Sequence, residues 1–211
     1  MIHTLEVKAL TLRSSMMKFF GIPFRKNYMV DEIKRKNPKE YTLTGVEIGV
    51  WNGENAFTIL KVLKPKKMYF IDPYESFDGF TRRWELGNDN YQKAKKNIKN
   101  AINGDKNINY EFILSTSESA AEKVPDNLDF VYIDGNHNYE FVKMDIEIWY
   151  KKVRNGGIIG GHNFEPGFSG VARAVVEFSE ISGLEINGSL NDWWIYKKYS
   201  PTKNAKNEPK K

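Results

Sequence analysis

The stretch TGVEIGVWNGENAFTIL, residues 44–60, sets a carboxylate, Glu47, inside an apolar run and follows it with Gly49, Gly53 and a helical pattern. Ala56, Ile59, Leu60 and Leu63 recur at helical spacing, so the stretch reads as a strand, a glycine-rich turn and a helix. In an α/β sheet, such a turn after the first strand is a nucleotide site, because backbone there approaches a ligand closely and the helix N-terminus points at it. A phosphate-binding P-loop needs Gly-Lys-Ser/Thr, which this stretch lacks, and a dinucleotide fingerprint needs G-x-G-x-x-G. Here the glycines fall at 45, 49 and 53, so both patterns fail on spacing.

Working outward, short apolar runs alternate with helical patterns, the signal for strands joined by helical crossovers. The candidate strands are 44–50, 67–72, 110–115, 128–134 and 156–162. Between them, DNYQKAKKNIKNAI starts with Asp89 as a cap, and NYEFVKMDIEIWYKKV places Phe141, Ile148 and Trp149 on one stripe. After the helical GVARAVVEFSEI come two short β runs, GLEIN and DWWIYKK, linked by GSLN, a turn short enough to demand an antiparallel hairpin at a sheet edge. The expected fold class is α/β: a Rossmann-like, doubly wound, mostly parallel sheet with a C-terminal antiparallel hairpin. Residues 1–40 read as a helical cap or packing segment, 41–199 as the main domain and 200–211 as a basic disordered tail.

Composition bounds the function. The chain has 211 residues, room for one domain that buries roughly 70% of its unfolded surface. It is 40% hydrophobic and 28% charged, with no apolar run of the roughly 18 residues that a bilayer span needs. Glu6 and Lys8 interrupt the N-terminal stretch where a signal peptide would be apolar, and there is no cysteine for a disulfide, thiolate metal site or cysteine nucleophile. A cytoplasmic location is the default expectation. The net charge of +5 raises nucleic-acid binding, but much of it sits in KAKKNIKN and the C-terminal KKYSPTKNAKNEPKK, where charge is usually only solvated.

Two further features bear on chemistry. YFIDPY ends the second strand with Asp72, 25 residues after Glu47, where a carboxylate reaches a ribose diol. DFVYIDGNHNYEFVKMDIEIWYKKVRNGGIIGGHNF delivers Asp134, with His137 three residues on, to one strand end and His162 and Asn163 to another. In an open α/β sheet these ends line a single crevice.

The motif EIGVWNG resembles the E/D-x-G-x-x-x-G signature of class I S-adenosylmethionine-dependent methyltransferases. The resemblance implies that Gly49 and Gly53 let the loop wrap the methionine part of the cofactor, that Glu47 helps hold that loop and the ammonium, and that Asp72 takes the ribose. It extends to STSES after the third strand, implying adenine contact through Ser117, with Tyr74 lining the other side. Residues 44–180 further resemble sugar and small-molecule O-methyltransferases, including macrolide-sugar and rhamnosyl enzymes. In their metal-dependent members the fourth-strand acid and a pair after the fifth strand bind magnesium. Carried over, Asp134, His162 and Asn163 would be the ligands, with Asp134 also close to the methionine ammonium. Magnesium prefers oxygen donors, so His162 suits a softer divalent cation or serves as an acid/base group instead.

Methyl transfer to oxygen needs a hydroxyl aligned with the methyl and relieved of its proton. Histidine has the unperturbed pKa for that near neutrality, so the catalytic candidates are His137 as base and Asp134 beside it. Asp145, set into the apolar stripe of its helix, reads as a structural hydrogen-bonding residue. YESFDGFTRRWELGNDNY, residues 74–91, suits a lid over an acceptor, with Arg82, Arg83 and Trp84 meeting a sugar ring or an anion. The expected partner is a small-molecule glycosyl or polyol acceptor, with no membrane or nucleic acid, and a homo-oligomer stays open through the N-terminal segment. Two other readings stand beside this one: an NAD-type oxidoreductase or epimerase, and a non-catalytic or nucleic-acid-binding domain on the same fold.

Overall fold

The computed structural model describes residues 26–74 and 88–199. Within them, α1 (Tyr28–Lys36) precedes β1 (Thr44–Ile48), α2 (Glu54–Leu63), β2 (Lys67–Ile71), α3 (Asn88–Ile102) and β3 (Asn109–Ile113). There follow α4 (Ser117–Ala121), β4 (Leu128–Ile133), α5 (Tyr139–Lys152), β5 (Val153–Gly161), α6 (Ser169–Ser182), β6 (Asn187–Ser189) and β7 (Asp192–Tyr196).

The seven strands form one sheet in the order β3-β2-β1-β4-β5-β7-β6. The β1–β2, β1–β4, β2–β3 and β4–β5 pairs are parallel, while β7 runs antiparallel to both β5 and β6. Alternate strand residues face opposite layers, as the strand period of two requires. Phe130 and Tyr132 of β4 pack with α1, α2 and α3, whereas Val131 and Ile133 pack with α4, α5 and α6. The doubly wound, mostly parallel sheet with its edge hairpin is the architecture expected above.

Local details differ from the sequence reading. The final hairpin has a two-residue turn, Leu190 and Asn191, and β6 occupies Asn187–Ser189 rather than residues 183–187. Leu184 and Ile186 owe their apolar character to burial in the α4–α6 layer, not to ladder pairing. Asp89 lies inside the first turn of α3, not at its cap. On α5 the buried stripe is Val142, Asp145, Ile146 and Trp149, so Trp149 holds the expected place while Phe141 and Ile148 stand beside the stripe rather than on it. Phe141 is thereby turned out of the core.

Asn27 caps α1 by accepting from the Val30 N–H at 2.9 Å, and Met29, Val30 and Ile33 bury its inner face against α2 and the β5–β7–β6 edge. Residues 1–25 and 200–211 lie outside the described residues.

Candidate active site

The carboxyl ends of β1, β2, β4 and β5 open into a cleft of about 560 Å³, within the usual size of small-molecule sites. Gly49 prolongs β1 by donating its N–H to Ile71 O at 2.9 Å, and it holds φ +82°. A Cβ on it would stand 2.2 Å from the backbone oxygen of Asp134, so only glycine lets the first loop pass the end of β4. Gly53, at φ +79°, would drive a Cβ to 2.8 Å from the Cα of Ala94; its glycine serves the contact between α2 and α3.

Glu47 answers the question its position raises. Its neighbours Val46 and Ile48 face the α4–α6 layer, so Glu47 faces α1 and α2, fully buried. Its Oε1 accepts from Asn55 Nδ2 at 3.0 Å, and Asn55 in turn accepts from Asn27 Nδ2 at 2.7 Å. This polar chain ties the α1 cap to the first turn of α2, directly behind the glycine loop.

Asp72 braces that loop from the other side. Its Oδ2 accepts the N–H groups of Val50 and Trp51, both at 2.9 Å, and its Oδ1 accepts the N–H of Tyr74 at 2.9 Å. The Tyr74 hydroxyl donates to Trp51 O at 2.9 Å, closing a ring of contacts. Burial, reinforced by the charges of Asp72 and Glu47, pushes the Tyr74 hydroxyl far above the usual phenol range and keeps it neutral.

On the opposite wall, Asp134 continues β4 through its N–H to Ile48 O at 2.8 Å, and His162 continues β5 through its N–H to Ile133 O at 3.2 Å. The two residues therefore stand on neighbouring strand ends. His137 Nε2 lies 3.4 Å from Asp134 Oδ1, its Nδ1 is buried without a partner, and its ring meets Phe168 edge-on with centroids 4.8 Å apart. His162 Nδ1 lies 2.7 Å from Asp192 Oδ1, and Asp192, buried at the start of β7, also accepts the Tyr28 N–H at 2.6 Å. With Nδ1 donating to that carboxylate, the other ring nitrogen of His162 is the acceptor. Asn163 is buried in the left-handed region at φ 62°.

The sequence of residues 46–164 matches the model of a family described as a methyltransferase domain, more than half of the chain. The chain belongs to that family. It is a class I S-adenosylmethionine-dependent methyltransferase, and the seven-stranded sheet is the fold of its solved relatives. The structure is similar to that of a putative caffeoyl-CoA O-methyltransferase from Staphylococcus aureus, with 14% identity, TM-score 0.59 and coverage of 94% of this chain and 96% of that one. It is likewise similar to the O-methyltransferase NovP, at 18% identity and TM-score 0.58 over 81% and 80% of the two chains. A third is CalS11, a TDP-rhamnose 3'-O-methyltransferase of calicheamicin biosynthesis, at 14% identity and TM-score 0.56 over 80% and 77%. At these identities the likeness is one of fold. In sequence, the methyltransferase is 27% identical over 143 residues to the uncharacterized protein R132 of Acanthamoeba polyphaga mimivirus, and the match covers 66% of this chain and 60% of that protein.

Of the residues singled out from sequence, Gly49, Asp72, Tyr74, Ser117, Asp134, His137, His162 and Asn163 line the one cleft. Glu47 and Gly53 stand behind it and shape the loop. Arg82, Arg83 and Trp84 of the expected lid lie outside the described residues. Two acids of the methyltransferase escaped the sequence reading of the site. Asp192 precedes an ordinary apolar strand, and only the sheet order brings it to His162, 30 residues away. Asp145 lines the cleft from α5, buried, with its carboxyl pushed up to about 7 by burial despite a hydrogen bond from Ser117. Its place in an apolar stripe was the available signal.

Proposed function

We propose that this methyltransferase transfers the methyl group of S-adenosylmethionine to a hydroxyl of a sugar or other small polyol. The observation that carries the reading is the joint convergence of the Gly49 loop, Asp72 and the Asp134–His137 pair on one cleft at the carboxyl ends of the parallel strands. The O-methyltransferase names of the structural neighbours accord with this reading.

When bound, the cofactor supplies a methyl group already activated on a sulfonium. The chain's work is then to bind, align and deprotonate. Glu47, through Asn55, and Gly53 hold the loop in shape, and Gly49 and Asp134 face the methionine part. The ribose hydroxyls fall to the Asp72 carboxylate, which also accepts from Val50, Trp51 and Tyr74. Tyr74 walls the ribose, and Ser117 marks the adenine end. His137 takes the proton of the acceptor hydroxyl at its imidazole, with Asp134 stabilising the imidazolium as the oxygen attacks the methyl carbon. A second base is favoured by one specific observation: the Asp192 carboxylate holds His162 in the tautomer whose Nε2 accepts a proton.

A divalent cation belongs to the same proposal. Asp134, His162 and Asn163 would hold it, orienting the acceptor hydroxyls. Among the described residues no group of three or more His, Asp or Glu stands at metal-binding spacing, and this trio offers one carboxylate, one imidazole and one amide. The Asp192–His162 contact is the carboxylate-to-histidine support that metal-binding imidazoles have. Such a mixed donor set fits manganese, zinc or iron better than magnesium. The test is a mass-shift screen of glycosides and polyols with S-adenosylmethionine. Methylation of a hydroxyl acceptor supports the reading, whereas transfer confined to nitrogen or RNA substrates would reject it.

A further inference from the structure

Two consecutive residues at the start of α1 reach two buried carboxylates on opposite sides of the cleft. The Tyr28 N–H donates to Asp192 Oδ2 at 2.6 Å, and Asp192 Oδ1 lies 2.7 Å from Nδ1 of the cleft-lining His162. The Asn27 side chain reaches the other way, through Asn55 to Glu47 behind the β1 loop. Asn27, Asn55, Glu47 and Asp192 are all buried, where bulk water does not replace a lost partner.

The direction of each chain of hydrogen bonds is set in α1. Asp192 has three donors: the Tyr28 N–H, the Tyr132 hydroxyl at 3.3 Å and His162. A hydroxyl can turn to accept, and an imidazole can move its hydrogen to the other nitrogen, but a backbone N–H only donates. The Tyr28 N–H is therefore the fixed member, and it is one of the first-turn groups that a helix cannot satisfy internally. On the other chain, Asn27 Oδ1 accepts the Val30 N–H, again a backbone donor, which turns Nδ2 toward Asn55. Asn55 accepts with its oxygen and so gives its own NH₂ to Glu47.

We propose, building on the methyl-transfer reading above, that the first turn of α1 is a positioning element of the transfer site. Tyr28 locks Asp192, so that His162 keeps Nε2 bare for the acceptor half of the cleft. Asn27 locks Asn55 and Glu47 behind the loop that carries the methyl donor. The burial of Met29, Val30 and Ile33 against α2 and the β5–β7–β6 edge holds both chains in register with the strand ends.

Asp192→Asn tests the first chain, because the Tyr28 N–H must hold the amide oxygen. The NH₂ then faces Tyr132 and His162. The tyrosine hydroxyl turns to accept, and His162 accepts at Nδ1, so its hydrogen moves to Nε2 and the bare nitrogen becomes a donor. An amide free to turn would instead offer its oxygen to His162 and leave the ring unchanged. Asn27→Ser tests the second chain, since serine still caps the helix but has no amide to give Asn55.

The experiment uses the full chain. Long-range proton–nitrogen NMR spectra of the neutral rings, in alkaline buffer, show which nitrogen of His162 carries the hydrogen, and calorimetry gives the affinity for S-adenosylhomocysteine. Wild type should carry the hydrogen on Nδ1 and Asp192→Asn on Nε2. Asn27→Ser should keep the wild-type ring and bind the ligand about 3- to 10-fold more weakly, the span of a neutral hydrogen bond. A helix that only packs would leave the hydrogen of His162 where it is in both variants. Retention of the Nδ1 hydrogen in Asp192→Asn, or wild-type affinity in Asn27→Ser, overturns the assignment. Should Asp192→Asn fail to fold, a wild-type ring with its hydrogen on Nε2 overturns it alone, and Asn27→Ser still decides the second chain. Absence of binding to wild type would instead strike the methyl-donor reading, with the His162 spectra still testing the Tyr28–Asp192 chain.

Discussion

Asp145→Asn replaces a buried carboxyl whose effect on stability can be worked from its surroundings. Burial raises the Asp145 carboxyl from 3.8 to about 7, with the Ser117 hydrogen bond acting in the opposite sense. At about 1.36 kcal/mol per tenfold change in proton affinity, the folded protein favours the neutral carboxyl by about 4 kcal/mol more than the unfolded chain does. The folded state then binds more protons than the unfolded state between pH 3.8 and about 7. The contribution to stability is full below that window, is lost as pH rises through it, and stays lost above it. An amide at this position does not titrate, but leaves a buried NH₂ unpaired at a cost of about 1–3 kcal/mol. The variant should accordingly be less stable than wild type near pH 4.5 and more stable, by about 1–3 kcal/mol, at pH 8. Urea unfolding of both ligand-free proteins at several pH values between these limits measures the difference. A stability difference constant with pH to within about 1 kcal/mol would refute the reasoning, because it would place the carboxyl's proton affinity near that of the unfolded chain.

Asp72→Ala removes the acceptor for three backbone N–H groups, so thermal melting should show a loss of about 1–3 kcal/mol and titration a drop in S-adenosylhomocysteine affinity of about 10–100-fold; full retention of both would show that the loop holds itself. His137→Gln should leave that affinity nearly unchanged and lower kcat by about 10²–10⁴, the range of a positioned general base. Near-normal kcat in that variant from pH 6 to 9 would move the base to His162. Turnover should fall on chelation and return with a divalent cation, and unchanged turnover together with no metal by elemental analysis would remove the cation from the mechanism.

Much of the fold was legible because its signals are local. The helix at 54–63 and the five parallel strands announce themselves by period and by punctuating glycines. The cleft was legible for the same reason: Gly49, Asp72 and Asp134 each sit at a strand end, and an open parallel sheet gathers those ends on one side. What stayed hidden depends on partners far along the chain. Asp72 suggests a ribose ligand from spacing alone, yet its three backbone partners come from the loop it braces, 22 residues back for Val50. Ser117 and Trp149 are 32 residues apart in sequence, and only the packing of α4 on α5 brings them to 2.7 Å. Leu184 and Ile186 misled because alternation marks burial on one face, whether or not the segment joins a ladder. Phe141 was assigned to the core by helical spacing and faces the cleft, since a cleft-lining apolar side chain carries the same pattern as a buried one.

The most direct test of the account is calorimetric titration of the intact protein with S-adenosylmethionine, S-adenosylhomocysteine and NAD. The account predicts saturable binding of the two adenosyl-sulfur ligands at one site, with stabilisation of about 2.7 kcal/mol at one hundred times the dissociation constant, and no binding of NAD. Binding of NAD in their place, or of none of the three, would contradict it.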